Sequence, residues 1–140
     1  MAAETPVATF RIPAVMAAEI VAHAQAGYPE EVCGVIAGRE AEAVTLHRGR
    51  NVSSTPHVTY ELDVDTLALQ IGFEDEGFQL VGIYHSHPHG PDIPSVTDIA
   101  QAYYPDAVYL ICSLTDPTRP SLRGFRIGSG EAIEIRLEPT

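Results

Sequence analysis

The chain has 140 residues, 45% of them apolar and 19% charged, the composition of a globular domain that buries its core without disulfides. Nineteen acidic residues against eight basic ones give a formal charge of −11, which argues against general nucleic-acid binding and against docking on anionic membranes. No apolar run approaches the roughly 20 residues of a membrane span, and the opening MAAETPVATFRIP lacks the basic and apolar regions of a secretory signal, so one cytoplasmic domain over residues 1–140 is expected.

Thr9 to Ile12 reads as a first strand, and Pro13 suits the first turn of a helix. The helix-forming run AVMAAEIVAHAQ follows, with Met16, Ile20 and His23 on one face and Gly27 as its stop. Pro29 bars the helix from resuming. Val32 to Ala37 and Ala43 to Arg48 then read as a hairpin around a polar turn at 38–42. Val58 to Leu62 is expected to be another strand, and Asp63 to cap the helix that begins with DVDTLALQIG. Leu80 to Tyr84 is apolar and β-rich. Pro88, Pro91 and Pro94 stiffen the next loop, Ser95 to Tyr103 reads as a short helix stopped by Pro105, and Ala107 to Leu114 is the most apolar strand. Leu122 to Ile127 and Ala132 to Leu137 form a closing hairpin around Gly128 and Gly130. The order implies a mixed α/β (α+β) fold with a largely antiparallel sheet flanked by helices.

Chemistry concentrates in YHSHPHGPDIPSVTD. His85 and His87 stand two apart at the end of an apolar strand, so both imidazoles leave from one face. The stiff loop can return Asp98, in the first turn of the next helix, to the same place. Two imidazoles and one carboxylate leave a fourth position open, the catalytic rather than the structural zinc pattern. The competing readings are a solvated H-x-H and a plain capping arrangement of Ser95 with Asp98. His89 and Asp92 share the loop and read as outer-shell or solvated groups. His23, His47 and His57 lack ligand spacing. Cys33 and Cys112 lie in apolar stretches and read as reduced, buried thiols. Glu31 follows Pro29 and shares strand parity with Cys33 and Val35, where a partly desolvated carboxylate has a raised pKa suited to proton transfer.

His-x-His, seven residues, Ser, two residues, Asp, as in His85, His87, Ser95 and Asp98, resembles the signature of the JAMM (MPN+) metalloprotease family. Pro29, Glu31, Cys33 and Gly34 are similar to that family's upstream P-x-E-x-C-G segment, and the likeness runs from about Phe10 to Leu137. The resemblance implies a JAMM/MPN (cytidine-deaminase-like) fold with a curved sheet. It also implies Zn2+ on His85, His87 and Asp98, Glu31 as general base, and Ser95 as a donor to the oxyanion. The chain is most similar to small bacterial members of the Mec type. That implies as partner a ubiquitin-like sulfur-carrier protein with a Gly-Gly tail, lying extended in a narrow groove and adding to a sheet edge. Short connections at 51–57 and 115–120 leave little room for the insertions by which specialised deubiquitinases grip ubiquitin. The alternatives are a RadC-like metal protein of another role and a non-catalytic MPN-type binding module. A zinc deaminase needs H-x-E with P-C-x-x-C, and neither motif occurs. The sequence leaves the oligomeric state open, a homodimer included.

Overall fold

The computed structural model describes residues 8–140, so the first seven residues of the stretch read as lacking a secretory signal lie outside the described region. Its elements in chain order are β1 (Thr9–Ile12), α1 (Ala14–Gly27), β2 (Cys33–Arg39), β3 (Glu42–Arg48), α2 (Val64–Asp75), β4 (Gln79–His87), α3 (Val96–Ala100), β5 (Val108–Ser113), β6 (Ser121–Gly128) and β7 (Glu131–Pro139). The strands lie in the order β1-β3-β2-β4-β5-β6-β7, and the sheet coils until β1 joins its two ends into a closed barrel. Four pairings are antiparallel: β2 with β3, β2 with β4, β5 with β6, and β6 with β7. The pairs β4–β5, β1–β7 and β1–β3 are parallel. The closure on β3 is slight, a single partnered position, Arg11 with Glu42.

The sheet is apolar on both faces. One face buries Phe10, Ile12, Ile36, Tyr84 and Leu110 with Met16, Ile20 and Ala24 of α1. The other buries Val35, Ile83, Tyr109, Ile111 and Phe125 with Phe73 of α2 and partly buried Ile99 of α3. A face covered by helices on each side explains why β2, β4 and β5 read as continuous apolar runs rather than alternating ones.

Gly27 closes α1 where space demands glycine, since a Cβ there would collide with Val32 Cγ1. Gly34 lies against Tyr84, whose ring would meet any side chain at that position. The buried Tyr84 hydroxyl finds its partner in His23 Nδ1 at 2.7 Å, which gives His23 a structural use beyond its place on the helix face.

Two expected elements differ. Residues 58–62 form no strand; only an isolated bridge joins Leu62 to Asn51. The backbone groups a neighbouring strand would use are taken by a side chain: Asn51 Nδ2 donates to Thr59 O and Asn51 Oδ1 accepts from Glu61 N. The helix expected over 95–103 stops at Ala100, and the Tyr104 N–H goes to the Tyr109 hydroxyl instead of to a helical carbonyl.

Candidate metal centre and active site

Strand register assembles the site. In the β2–β4 ladder Cys33 faces His85, so continuing the antiparallel count places Val32 opposite Ser86 and Glu31 opposite His87. Directly opposed residues share a face, so Glu31, His85 and His87 all emerge on the α2/α3 side. Ser86, on the reverse side and fully buried, seals this end of the ladder. Its N–H donates to Val32 O at 3.1 Å, and its hydroxyl accepts from Val32 N at 2.9 Å.

Asp98 arrives from α3. Ser95 caps that helix: Ser95 Oγ accepts from Asp98 N at 3.0 Å, and Ser95 N donates to Asp98 Oδ2 at 2.9 Å. The same Oδ2 lies 3.1 Å from His85 Nε2 and 2.9 Å from His87 Nε2, and the two Nε2 atoms are 3.1 Å apart. The capping box therefore also aims a carboxylate oxygen at two imidazoles.

The protons in this triangle decide what belongs there. His87 Nδ1 lies 2.6 Å from the carbonyl of Pro91, which can only accept, so Nδ1 carries the hydrogen. Neutral His87 then presents a bare Nε2 lone pair to the Asp98 carboxylate, and two acceptors face each other. A cation resolves the conflict. Burial, the largest single influence, pulls His87 down, but the bonds to Asp98 and to the Pro91 carbonyl and the charges of Asp98 and Glu31 together outweigh it and leave its pKa raised. Burial likewise pushes Asp98 up, yet hydrogen bonds from His85 and His87 hold it far below the ordinary carboxylate range. His85 is lowered, because its complete burial outweighs the Asp98 bond.

The donor set fits a metal ion. Tetrahedral zinc with bonds of about 2.0–2.1 Å holds its donors roughly 3.3 Å apart, slightly more than the separations of 2.9–3.1 Å observed here. Donor atoms of Glu31, His85 and His87 also all lie within 4.8 Å of one another. Asp98 Oδ2 lies 3.1 and 2.9 Å from the two imidazoles, so four candidate donors converge here. Glu31 is 5% exposed, and its Oε1 is buried without a hydrogen-bond partner. Burial raises its pKa from 4.5 to about 7, against the pull of His87. Glu30, its neighbour, is exposed.

His85 Nδ1 also lacks a partner, an unusual condition for a ligating imidazole. Its ring is held instead by stacking on Tyr60, with centroids 4.3 Å apart and planes at 22°. Tyr60 belongs to the irregular segment after β3, which walls a cavity of about 580 Å³ running up to Asp98. Ser53, Thr55, Thr59 and Tyr60 line one side, and Thr97, Gln101 and Tyr104 the other.

Of the residues singled out from the sequence, Glu31, His85, His87, Ser95 and Asp98 are brought together. His89 and Asp92 are not: His89 meets Tyr28 edge-on, and Asp92 pairs with Arg123 at 3.2 Å. Cys33 and Cys112 are buried and unpaired, with thiol pKa values pushed up by burial to about 12 and about 11. Sequence reasoning missed Asn51, Tyr60 and Ser86. Ser86 alone carried a signal, a small polar residue between two candidate ligands whose parity turns it into the apolar core. Among the described residues, no helix is long and apolar enough to cross a membrane.

A model of the prokaryotic homologs of the JAB domain matches residues 13–127. The desampylase of Haloferax volcanii is 46% identical over 101 residues, covering 67% of this chain and 73% of that protein. The CysO-cysteine peptidase of Mycobacterium tuberculosis is 38% identical over 117 residues, 82% of this chain and 80% of that one. The solution structure of a protein from Desulfitobacterium hafniense superposes with a TM-score of 0.82 at 26% identity, over 94% of this chain and 92% of that one. With a family match across most of its length and relatives this similar, the chain belongs to the prokaryotic homologs of the JAB domain.

Proposed function

We propose that the chain is a single-domain, cytoplasmic zinc isopeptidase that hydrolyses the bond after the C-terminal Gly-Gly of a ubiquitin-like or sulfur-carrier protein. The observation that carries this reading is the convergence of two imidazole nitrogens and one carboxylate oxygen beside a buried, unpartnered glutamate. Relatives named a desampylase, a CysO-cysteine peptidase and a probable TtuB-protein conjugate cleaving protease support the substrate class.

His85, His87 and Asp98 would hold the metal. A bound zinc ion would supply an acidified water and a Lewis acid for the scissile carbonyl. Glu31, raised toward neutrality, takes a proton as water attacks and returns it to the leaving amine. Ser95 accepts the Asp98 N–H through an oxygen lone pair, so its own hydrogen is free to donate to the developing oxyanion. Glycines suit the tail because only they bring backbone close to such a centre without a side-chain clash. The tail lies extended in the cavity beside Tyr60 and Thr97, which runs up to Asp98.

A RadC-like metal protein or a binding module has no need of a buried base within reach of an open metal position. The test is to incubate the purified chain with a Gly-Gly-terminated β-grasp protein extended by a short peptide, and to read products by mass. Cleavage after the second glycine is expected. In the double variant His85→Ala, His87→Ala it should vanish together with the metal measured by elemental analysis. Full stoichiometric zinc in that variant would place the site elsewhere. A zinc-loaded wild type that leaves every such substrate intact would remove the isopeptidase reading.

A further inference from the structure

We propose that Asn51 is a positioning residue for the general base, tying the Glu31 backbone to the loop that walls the substrate groove. The inference rests on the assignment of Glu31 as base made above.

An asparagine side chain has two N–H donors and an oxygen with two lone pairs. Asn51 uses all four. Nδ2 donates to Thr59 O at 3.0 Å and to Glu31 O at 2.9 Å. Oδ1 accepts from Ser53 N and from Glu61 N, both at 3.0 Å. Three of these bonds staple the 51–61 loop to itself. The fourth is the only one that leaves the loop, and it ends on the carbonyl of the base.

The loop returns the contact from two further points. Pro56 O accepts from Glu31 N at 2.7 Å, and His57 Nδ1 lies 3.2 Å from Pro29 O. Both backbone polar groups of Glu31 therefore end on one loop, while the next N–H, that of Val32, ends on Ser86 of the metal-bearing strand. The Glu31 carboxylate has no partner on its Oε1 to hold it, so its place relative to His87 depends on its backbone. The same loop supplies the cavity wall through Ser53, Thr59 and Tyr60, and Tyr60 stacks on His85. Groove wall, base and one ligand imidazole are thus parts of one stapled unit, and Asn51 is its staple.

Asn51→Asp keeps the two acceptor bonds and replaces both donors with a carboxylate oxygen. Asn51→Ala removes all four bonds and serves as the second variant. The first measurement is amide hydrogen exchange on the full chain without metal, independent of activity. In Asn51→Asp the Glu31 amide, which reaches Pro56 O on the loop that Asn51 staples, should lose protection by at least about tenfold, while the Leu110 amide, in the buried strand β5, keeps its wild-type rate. Wild-type exchange at Glu31, or an equal loss at Glu31 and Leu110, overturns the proposal.

The second measurement is a kinetic double-mutant cycle on the Gly-Gly-linked substrate. Asn51→Asp should lower kcat about 10–100-fold at unchanged zinc content, with a smaller effect on KM. In the Glu31→Gln background the same change should lower kcat no further. Multiplying losses would mean that Asn51 acts elsewhere, overturning the proposal. If the wild type shows no turnover at all, the isopeptidase reading fails, and the exchange result still decides whether Asn51 holds Glu31.

Discussion

Replacing Ser95 in turn by Ala, Asp and Thr separates two uses of one hydroxyl. The oxygen accepts from Asp98 N at 3.0 Å, while the hydrogen is free for the reaction. Ser95→Ala removes the acceptor but leaves the second half of the capping box, because Ser95 N to Asp98 Oδ2 at 2.9 Å is a backbone donation that survives any side chain. A lost N-cap costs about 0.5–2 kcal/mol. For a helix of five residues that keeps half its box, about 1 kcal/mol is expected, or a Tm lower by roughly 3–5 °C. Loss of the oxyanion donor costs on the order of 10²–10³ in kcat. Ser95→Asp should restore the cap and the Tm but not kcat, because a carboxylate accepts and cannot donate. Ser95→Thr should keep both, since the position is exposed and has room for a methyl group. The assay is kcat on the Gly-Gly-linked substrate, well below each variant's Tm, with bound zinc measured in each. Wild-type turnover in Ser95→Ala or Ser95→Asp would reduce Ser95 to a cap. A kcat loss that merely follows zinc loss would show that it acts only through Asp98.

Glu31→Gln should retain zinc and lose on the order of 10²–10⁴ in kcat, whereas Glu30→Gln at the exposed neighbour should match wild type; zinc loss in Glu31→Gln would make Glu31 a ligand. In the metal-free protein Glu31 titrates at about 7 against 4.5 unfolded, so between these values the folded state binds the extra proton and stability falls as pH rises. The readout is the stability of wild type minus that of Glu31→Gln by denaturant unfolding in chelator, which removes every contribution the two proteins share. It should decline from pH 4.5 to above 7, and a flat difference refutes the raised pKa. Ser86→Ala leaves the Val32 N–H buried and unsatisfied, costing about 1–3 kcal/mol; an unfolding free energy within 0.5 kcal/mol of wild type would show that the bond contributes little.

Most strands and the residues that converge at the candidate site were readable because each rests on local pattern. His85 and His87 two apart on a strand share a face whatever the rest of the chain does, and Ser95 with Asp98 is complete within four residues. What escaped depends on groups far apart or on side chains replacing backbone. Residues 58–62 carry the β-branched and aromatic composition of a strand, yet Asn51 takes their hydrogen bonds, and no periodicity encodes that. The Tyr109 hydroxyl captures Tyr104 N in the same way and helps end the expected helix early. Barrel closure depends on Thr9 finding Arg136, a pairing across nearly the whole chain. Glu31 was separable from Glu30 mostly through the family resemblance, with strand parity beside it, but its opposition to His87 follows only from the β2–β4 register.

That register has an engineering consequence. Val32 and Ser86 are 54 positions apart in sequence, yet the place of Glu31 relative to His85 and His87 is set across the β2–β4 ladder and not along the chain between them. The turn between β2 and β3 and the connection from α2 to β4 can therefore be lengthened, or exchanged for a recognition module grafted from another protein, without altering the catalytic spacing. The tolerance ends at the 51–61 segment, which is bonded to Glu31 itself. Chimeras spliced at the first two places should inherit the chemistry and acquire a new substrate preference, while splices inside 51–61 should lose both together.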